Sequence, residues 1–443
     1  MKSQSRMDHR IGSLEPWITK RVLTGMLAIL LPLAIPTHLS AQGNTLQLMN
    51  YRVLHAFSGQ QDGAYPSFAS VIVDNPGNVY GTASQGGDLS CNNGTGCGVV
   101  FKINPGGHQT ILHNFEGGTD GALIDNAPTL VQDADGNLYG TADYGGDPDC
   151  SCGLVFKIDR QGHYSAIHYF NGADGRNPAP NPGLLLGSDG NFYGTAGAGG
   201  NGCGGSGCGV VFKMDPQGNV VVLYNFTGGA DGLYPSGVVQ DSDLNLYGTA
   251  SYGGDFNQGV VFKVDPQGHE SVLYSFTGGA DGGQPVGGVV LDEARNAYGT
   301  GNEGGAHNGG VVFKLDHMGQ ENVLYSFTGG TDGGGQVYTS LIRDDHGNLY
   351  GTTYGGGDLN TDLCGSYGCG TVFKVTPSGH ESVLYAFRGT DGALPYTGVF
   401  RDRHGNIYGT TGYGGDLNQC FGSGCGVVFK LPACNSAICR GQD

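Results

Sequence analysis

An all-β, seven-bladed β-propeller is the fold this sequence predicts, on three observations. The phrase Asn-x-Tyr-Gly-Thr occurs seven times, with tyrosines at Tyr80, Tyr139, Tyr193, Tyr247, Tyr298, Tyr350 and Tyr408, spaced 51 to 59 residues apart. A period near 50 residues marks a propeller, a solenoid or an array. Each copy carries four short segments of strand character and no helical period. The array is also offset at its ends. It opens on a lone strand at 51–57 and stops after a Val-Val-Phe-Lys strand at 426–431, so pairing the two completes a seventh four-stranded blade.

Residues 1–41 differ from the rest. Arg10, Lys20 and Arg21 precede an apolar stretch from Val22 to Ile35, and small residues lead up to Ala41. This reads as a secretory signal peptide. The alternative is an uncleaved membrane anchor, but the stretch is short of the ~20 residues a span needs and holds Pro32 and Pro36. Residues 42–50 form a linker, 51–431 the propeller and 432–443 a tail with the local cysteine pair Cys434 and Cys439. Secretion, or residence in the periplasm or at the cell surface, is expected, with no membrane insertion once the signal is removed.

The repeat beginning at Glu270 shows the strands in order. Glu270 to Phe276 alternates apolar and polar residues, the pattern of a strand with one face buried. Thr277 to Gly282 is a loop, Val286 to Leu291 a second strand, and Asn296 to Thr300 a third. A glycine-rich loop leads to the fourth strand, Gly310 to Leu315. Short turns between such strands make an antiparallel meander, and closing it into a ring removes exposed edges. The lone N-terminal strand then becomes the outermost strand of the last blade. One face of the disc carries the Gly-Gly-x-Asp-Gly connectors and the long glycine-rich loops, and the other carries the tight turns.

Composition agrees. Glycine, at 86 of 443 residues, falls at loop positions and follows no collagen period. Without residues 1–41 the chain keeps 16 basic and 37 acidic residues, a net charge of −21. So acidic a surface argues against nucleic acid and anionic membrane and admits cations, neutral glycans or basic proteins. The single tryptophan, Trp17, lies in the signal segment. That counts against propellers built on Trp-Asp repeats, tryptophan-bearing Asp boxes or quinone-dehydrogenase motifs.

Twelve cysteines fall into local pairs: Cys91 with Cys97, Cys150 with Cys152, Cys203 with Cys208, Cys364 with Cys369, Cys420 with Cys425, and Cys434 with Cys439. The first five occupy one place in the repeat, and the two copies without a pair there have shorter loops. With an export signal this points to disulfides that staple loops, each contributing roughly 2 kcal/mol in the chain-entropy model. A zinc site needs four converging ligands, and these pairs sit a whole repeat apart. Cys150-Ser151-Cys152 closes so tight a ring that its pairing stays open.

The phrases Asn-Leu-Tyr-Gly-Thr-Thr-Tyr-Gly-Gly, Gly-x-Val-Phe-Lys-Val-x-Pro-x-Gly and Val-Leu-Tyr-Ser-Phe-Thr-Gly-Gly resemble the HAF family of bacterial extracellular repeats, also called GloVer tandem repeats. The resemblance covers about residues 51–431. It implies a secreted or surface-attached bacterial protein and brings no established activity or catalytic residues. Members often end in a sorting segment, whereas only a short tail follows Leu431 here.

Residues present in every copy read as structural. The connector aspartates Asp62, Asp120, Asp174, Asp231, Asp281, Asp332 and Asp391 could hold calcium, but their repetition favours turn-forming side chains, so no cofactor or metal is expected. The Val-Phe-Lys lysines and the turn histidines His108, His163, His269 and His380 read the same way. The Tyr-Gly-Gly loops vary between copies and are the candidate ligand contacts: Tyr144 with Asp147, Tyr252 with Asp255, Tyr354 with Asp358, and Tyr413 with Asp416, where the other copies have Gln85, Ala198 and Glu303. A ring covers the apolar face of a sugar and a carboxylate accepts its hydroxyls. The alternative is a tyrosine packed under its own stapled loop.

No Gly-x-Ser-x-Gly or His-Glu-x-x-His phrase occurs, and no carboxylate stands apart from the repeat as a glycosidase pair would. The expected function is a non-catalytic, monomeric binding or adhesion module for extracellular glycan or protein. A polysaccharide lyase or hydrolase with a site at the central channel, and a purely structural envelope protein, are the alternatives.

Overall fold

A computed structural model describes residues 51–67, 70–123, 129–178, 183–204 and 207–433. The expected signal peptide and the 42–50 linker lie outside the described residues. So do Cys434 and Cys439, and with them the disulfide expected between the two. Seven antiparallel sheets form seven blades. In the sixth blade the order from the axis outward is Ile342–Arg343, Leu349–Thr353, Thr371–Val375 and Glu381–Ala386. The last blade runs Phe400–Arg401, Ile407–Thr411, Val427–Leu431 and then Arg52–Ala56 from the other end of the propeller. Arg52 stands opposite Lys430 and Ala56 opposite Val427. In the third and fourth blades the innermost strand is split in two pieces, Arg176–Pro178 with Leu185–Leu186 and Leu233–Pro235 with Val239–Gln240.

The core is seven seams rather than one centre. Each apolar cluster draws on two consecutive blades. One of them joins Val79 and Phe101 of the first blade to Tyr408 and Val428 of the last. The largest fully buried side chains are phenylalanines, supplied by the Val-Phe-Lys strand and by the end of the outer strand, with Phe192 added from the Asn-x-Tyr-Gly-Thr strand.

The sevenfold phrase now has a physical account. In the sixth blade Asp344 closes the turn before it, accepting from the Asn348 amide (2.9 Å), from Asn348 Nδ2 (3.0 Å) and from the Tyr350 hydroxyl (2.9 Å). The phrase's glycine leaves room for the cross-strand phenylalanine: a Cβ on Gly351 would lie 2.7 Å from the Phe373 ring. The threonine ties neighbouring blades, as Thr300 Oγ1 donates to Thr339 O (2.9 Å) and Thr249 Oγ1 to Gly287 O (2.8 Å). The lysine lies over the tyrosine: Lys430 Nζ is 5.0 Å from the Tyr408 ring centroid and Lys102 Nζ is 5.4 Å from that of Tyr80. That is the range of a cation–π contact. Among the described residues no helix is long and apolar enough to cross a membrane.

Candidate functional site

The loop-rich face is built from two loops per blade that clamp each other. Every connector aspartate holds its own loop shut. Asp231 accepts from the Thr227 amide (2.7 Å) and from the hydroxyl of Tyr224 (2.9 Å) on the preceding outer strand. Tyr274 and Tyr325 do the same for Asp281 and Asp332 at 3.0 and 2.8 Å. In the first copies a histidine takes the tyrosine's place: His55, His113 and His168 reach Asp62, Asp120 and Asp174 at 3.0–3.2 Å. These histidines and aspartates are spent on the scaffold. Among the described residues, no three His, Cys, Asp or Glu side chains converge as a metal would require.

The Gly-Gly of each glycine-rich loop rests on the connector. Gly415 N donates to Gly389 O and Gly357 N to Gly330 O, at 2.9 and 3.0 Å. A Cβ on Gly414, whose φ is +82°, would fall 2.3 Å from Gly389 O, so no other residue fits there. Disulfides join Cys91–Cys97, Cys150–Cys152, Cys203–Cys208, Cys364–Cys369 and Cys420–Cys425. The pairing of Cys150 with Cys152, open in the sequence, is thereby present. These are the five pairs that share one place in the repeat. The sixth expected pair, Cys434 with Cys439, is not among the described residues. The bridges lie under the connectors: Cys420 Sγ is 2.9 Å from a Cβ position on Gly59, and Cys91 Sγ is 3.1 Å from one on Gly117. Where cysteines are missing, Asn257 Oδ1 and Asn308 Oδ1 accept from Gly253 N and Gly304 N at 3.1 and 3.0 Å and brace the shorter loops.

On this clamped platform lies an arc of tyrosines. Tyr354 and Tyr396 pack with ring centroids 4.6 Å apart, and the Tyr396 hydroxyl donates to that of Tyr354 (3.0 Å). Tyr338 stands 6.0 Å from Tyr354 and 5.7 Å from Tyr396, and Tyr367 5.8 Å from Tyr354. Tyr413 continues the arc to Tyr65 of the first blade, 5.3 Å away. Tyr234 and Tyr252 form a further pair at 6.1 Å in the fourth blade. Tyr234, Tyr252 and Tyr367 are exposed, and the other members are half-buried. Between the fourth and sixth blades the arc is completed by Glu303, held by Gln284 Nε2 at 3.1 Å. Burial raises the phenol pKa of Tyr338, Tyr396 and Tyr413, and neighbouring phenols add to it. Burial also pushes Tyr367 up to about 12. These phenols therefore stay protonated and able to donate at neutral pH.

Of the residues singled out in the sequence, the structure brings Tyr354 and Tyr413 into one arc, with Tyr252 at its far end. Tyr144 lies apart, lining a 330 Å³ groove with Asp147 and the Cys91–Cys97 bridge. Asp255, Asp358 and Asp416 bond to groups other than the arc's rings, and Asp147 shares its groove with Tyr144. Tyr252 pairs with Leu233 of the inner strand, whereas the Asp255 amide donates to Ser275 Oγ of the outer strand (2.7 Å). Asp358 pairs with Arg388 at 3.1 Å, Asp416 accepts from the Asn418 amide at 3.0 Å, and Asp147 accepts from the Asp149 amide at 2.8 Å. The carboxylate that stands among the rings is Glu303. Sequence reasoning missed Tyr65, Tyr234, Tyr338 and Tyr396; Tyr234 lies on an inner strand piece and the other three lie on the segments that lead from the connector to the inner strand. Their signal was available: tyrosine just after the Asp-Gly connector occurs in four blades only.

The Gloeobacter/Verrucomicrobia repeat model matches residues 43–201, 89–294 and 179–421. The chain belongs to this repeat family. A search of curated proteins returns no match. Among solved structures, this Gloeobacter/Verrucomicrobia repeat protein is similar to a chain of the mitotic checkpoint complex (13% identity, 94% of this chain and 99% of that one, TM-score 0.48). It is also similar to the PQQ-bound aldose sugar dehydrogenase of Streptomyces coelicolor (12% identity, 86% and 97% covered, TM-score 0.41). A third likeness is to a gluconolactonase of Xanthomonas campestris (12% identity, 63% and 78% covered, TM-score 0.36). Likenesses this distant say nothing of the repeat protein's own chemistry.

Proposed function

We propose that this protein is a non-catalytic extracellular binding module whose ligand is a neutral glycan, held on the tyrosine arc of the loop-rich face. The observation that carries the reading is the arc itself. Eight rings of the fourth, sixth, seventh and first blades, Tyr234, Tyr252, Tyr338, Tyr354, Tyr367, Tyr396, Tyr413 and Tyr65, make up the arc, and Glu303 stands in the gap. Aromatic faces stack on the C–H faces of pyranose rings, while phenols and a carboxylate bond to the hydroxyls. The aromatic character departs from the sevenfold repeat, whereas the scaffold obeys it. A structural role would need the tyrosines in every blade, as it needs the Asn-x-Tyr-Gly-Thr tyrosines. Disulfides under the connectors suit an oxidising, extracytoplasmic setting. The test is a glycan array probed with the propeller, followed by titration of the best neutral oligosaccharide. Tyr354→Ala and Tyr252→Ala should each weaken binding at least tenfold. An array without hits, or unchanged affinity in both variants, overturns the reading.

A further inference from the structure

The opposite face, which carries the tight turns, has a cavity of its own. It lies at the seam between the last blade and the first and measures 410 Å³. One of its cations is peculiar to one copy of the repeat, although the sixth copy shares the arginine and histidine as Arg343 and His346. The turn between the innermost and second strands reads Asp402-Arg403-His404-Gly405-Asn406 in the seventh blade, and Arg401 precedes it. The same turn has Asn75-Pro76 in the first blade, Ala134-Asp135 in the second, Ser242-Asp243 in the fourth and Glu293-Ala294 in the fifth. No other copy has a cation at the position of Arg403. Arg401, Arg403, His404 and Lys430 all line the cavity, in a chain with 21 basic residues against 39 acidic ones.

The two carboxylates in the wall are already engaged. Asp402 accepts from Asn406 N and Nδ2 at 2.9 and 2.7 Å, and from the Tyr408 hydroxyl at 3.2 Å. Asp74 does the same with Asn78 N and Nδ2 at 2.7 and 2.8 Å, and with Tyr80 at 3.1 Å. The cations instead rest on rings or on each other. Arg401 Cζ is 5.6 Å from the Tyr350 ring centroid, Lys430 Nζ is 5.0 Å from that of Tyr408, and Arg403 Nε is 3.3 Å from His404 Nε2. Their positive charge is therefore unspent on carboxylates. Leu54, Val73 and Phe400 supply half-buried apolar walls. A cationic rim over an apolar wall matches a ligand with a planar anionic group on an otherwise ring-like body. The guanidinium fork matches a carboxylate bidentately, and the walls take the ring's C–H face.

We propose that this cavity is a second ligand site, for a saccharide bearing a carboxylate, of the uronic-acid kind. It is separate from the tyrosine arc and does not depend on it.

The test is calorimetric titration of the whole chain with tri-galacturonate, with its methyl ester and with inorganic phosphate. The acid should bind, and the ester, with the same rings and no charge, should bind at least tenfold more weakly, the scale of a lost charge-assisted pair. Arg403→Glu should lower affinity for the acid by at least tenfold with an unaltered unfolding midpoint, and Arg401→Gln should give a smaller loss should Arg403→Glu fail to fold. Tyr354→Ala should change nothing here, which separates this site from the arc. No heat with tri-galacturonate, equal affinity for its ester, or no effect of either arginine substitution overturns the proposal. Phosphate binding as tightly as the sugar acid would assign the cavity to bare anions and overturn the saccharide.

Discussion

Tyr396 donates its phenol proton to the oxygen of Tyr354 across 3.0 Å, and the two residues come from neighbouring blades. Tyr396 lies just before the inner strand of the seventh blade, and Tyr354 begins the glycine-rich loop of the sixth. A ligand laid along the arc therefore meets a surface that two blades make together. Tyr354→Ala removes both the ring and the acceptor of this bond and should weaken neutral-glycan binding at least tenfold. Tyr396→Phe keeps the ring and removes one hydrogen bond, a change worth about 1 kcal/mol, so a loss of roughly fivefold is expected. Asp255→Ala and Asp416→Ala, each outside the ring-to-ring contacts of the arc, should stay within twofold. Titration of the four variants with one oligosaccharide checks all of these, and a large loss in either aspartate variant would move the site outward.

Three glutamates make stability depend on pH in a definite direction. Glu270, Glu321 and Glu381 open their outer strands, as Gln109 and Tyr164 do in other blades. There Gln109 Nε2 donates to Asp62 O (2.9 Å), and the Tyr164 hydroxyl donates to Asp120 O. A glutamate in this place can donate only when protonated, and Oε1 of all three is buried without a partner. Burial and then the nearby connector carboxylates Asp231, Asp281 and Asp332 raise each pKa to about 7. The phenols Tyr224, Tyr274 and Tyr325 face the same glutamates. The folded-state pKa lies above the ordinary value of 4.5. The contribution is thus fully present below the ordinary value and is lost as pH rises through about 7. Glu270→Gln should leave the unfolding midpoint unchanged at about pH 5 and raise it at about pH 9. Equal midpoints at both values would mean that the carboxyl is solvated and ordinary.

Much of the scaffold was legible from residue spacing, because each blade repeats one solution to the same problem. Asn-x-Tyr-Gly-Thr recurs since asparagine and tyrosine both satisfy the turn aspartate, glycine admits the phenylalanine and threonine bonds the next blade. The site was only half legible. Tyr354 and Tyr413 stood out through their Gly-Gly loops, but Tyr338 and Tyr396 lie on the segments leading to the inner strands, whose residues differ from copy to copy. The aspartates beside Tyr-Gly-Gly looked adjacent in sequence. The loop carries Asp255 to Ser275 of the outer strand while Tyr252 stays beside the inner one, and Asp358 goes to Arg388, whereas Asp147 keeps Tyr144 as a neighbour in one groove.

The turn aspartates set the opposite pH limit. In Asp344, burial acts to raise the pKa, but bonds from Asn348 and Tyr350 outweigh it and hold the carboxyl below its ordinary value. Its contribution is present above that ordinary value and is lost as pH falls through the lowered one. Asp344→Ala takes their shared acceptor from the asparagine and from the tyrosine hydroxyl in a buried turn, and a cost of about 2–4 kcal/mol is expected. Tyr350→Phe removes one bond and should cost about 1 kcal/mol. Urea unfolding at neutral pH measures both, and at acid pH, with the carboxyl protonated, the Asp344→Ala penalty should shrink. A pH-independent penalty would assign the loss to packing instead.

The disulfides should matter most where a connector rests on the sulfur atoms. The Cys420–Cys425 bridge lies beneath Gly59, whose amide closes its loop by donating to Gly63 O at 3.1 Å. Breaking it as Cys420→Ser with Cys425→Ser should cost about 2 kcal/mol by the loop-entropy argument. The loosening should be local, since each seam has its own core. Amide exchange should therefore speed up across the 57–63 connector, which joins the two ends of the ring. The connector at 277–282 is a built-in control: no bridge lies beneath Gly278, and the side chain of Gln258 fills that place. Exchange there should be unchanged, both in the double serine variant and after reduction of the whole protein. If reduction accelerated exchange equally at both connectors, the bridges would be stabilising the ring as a whole rather than the loops they underlie.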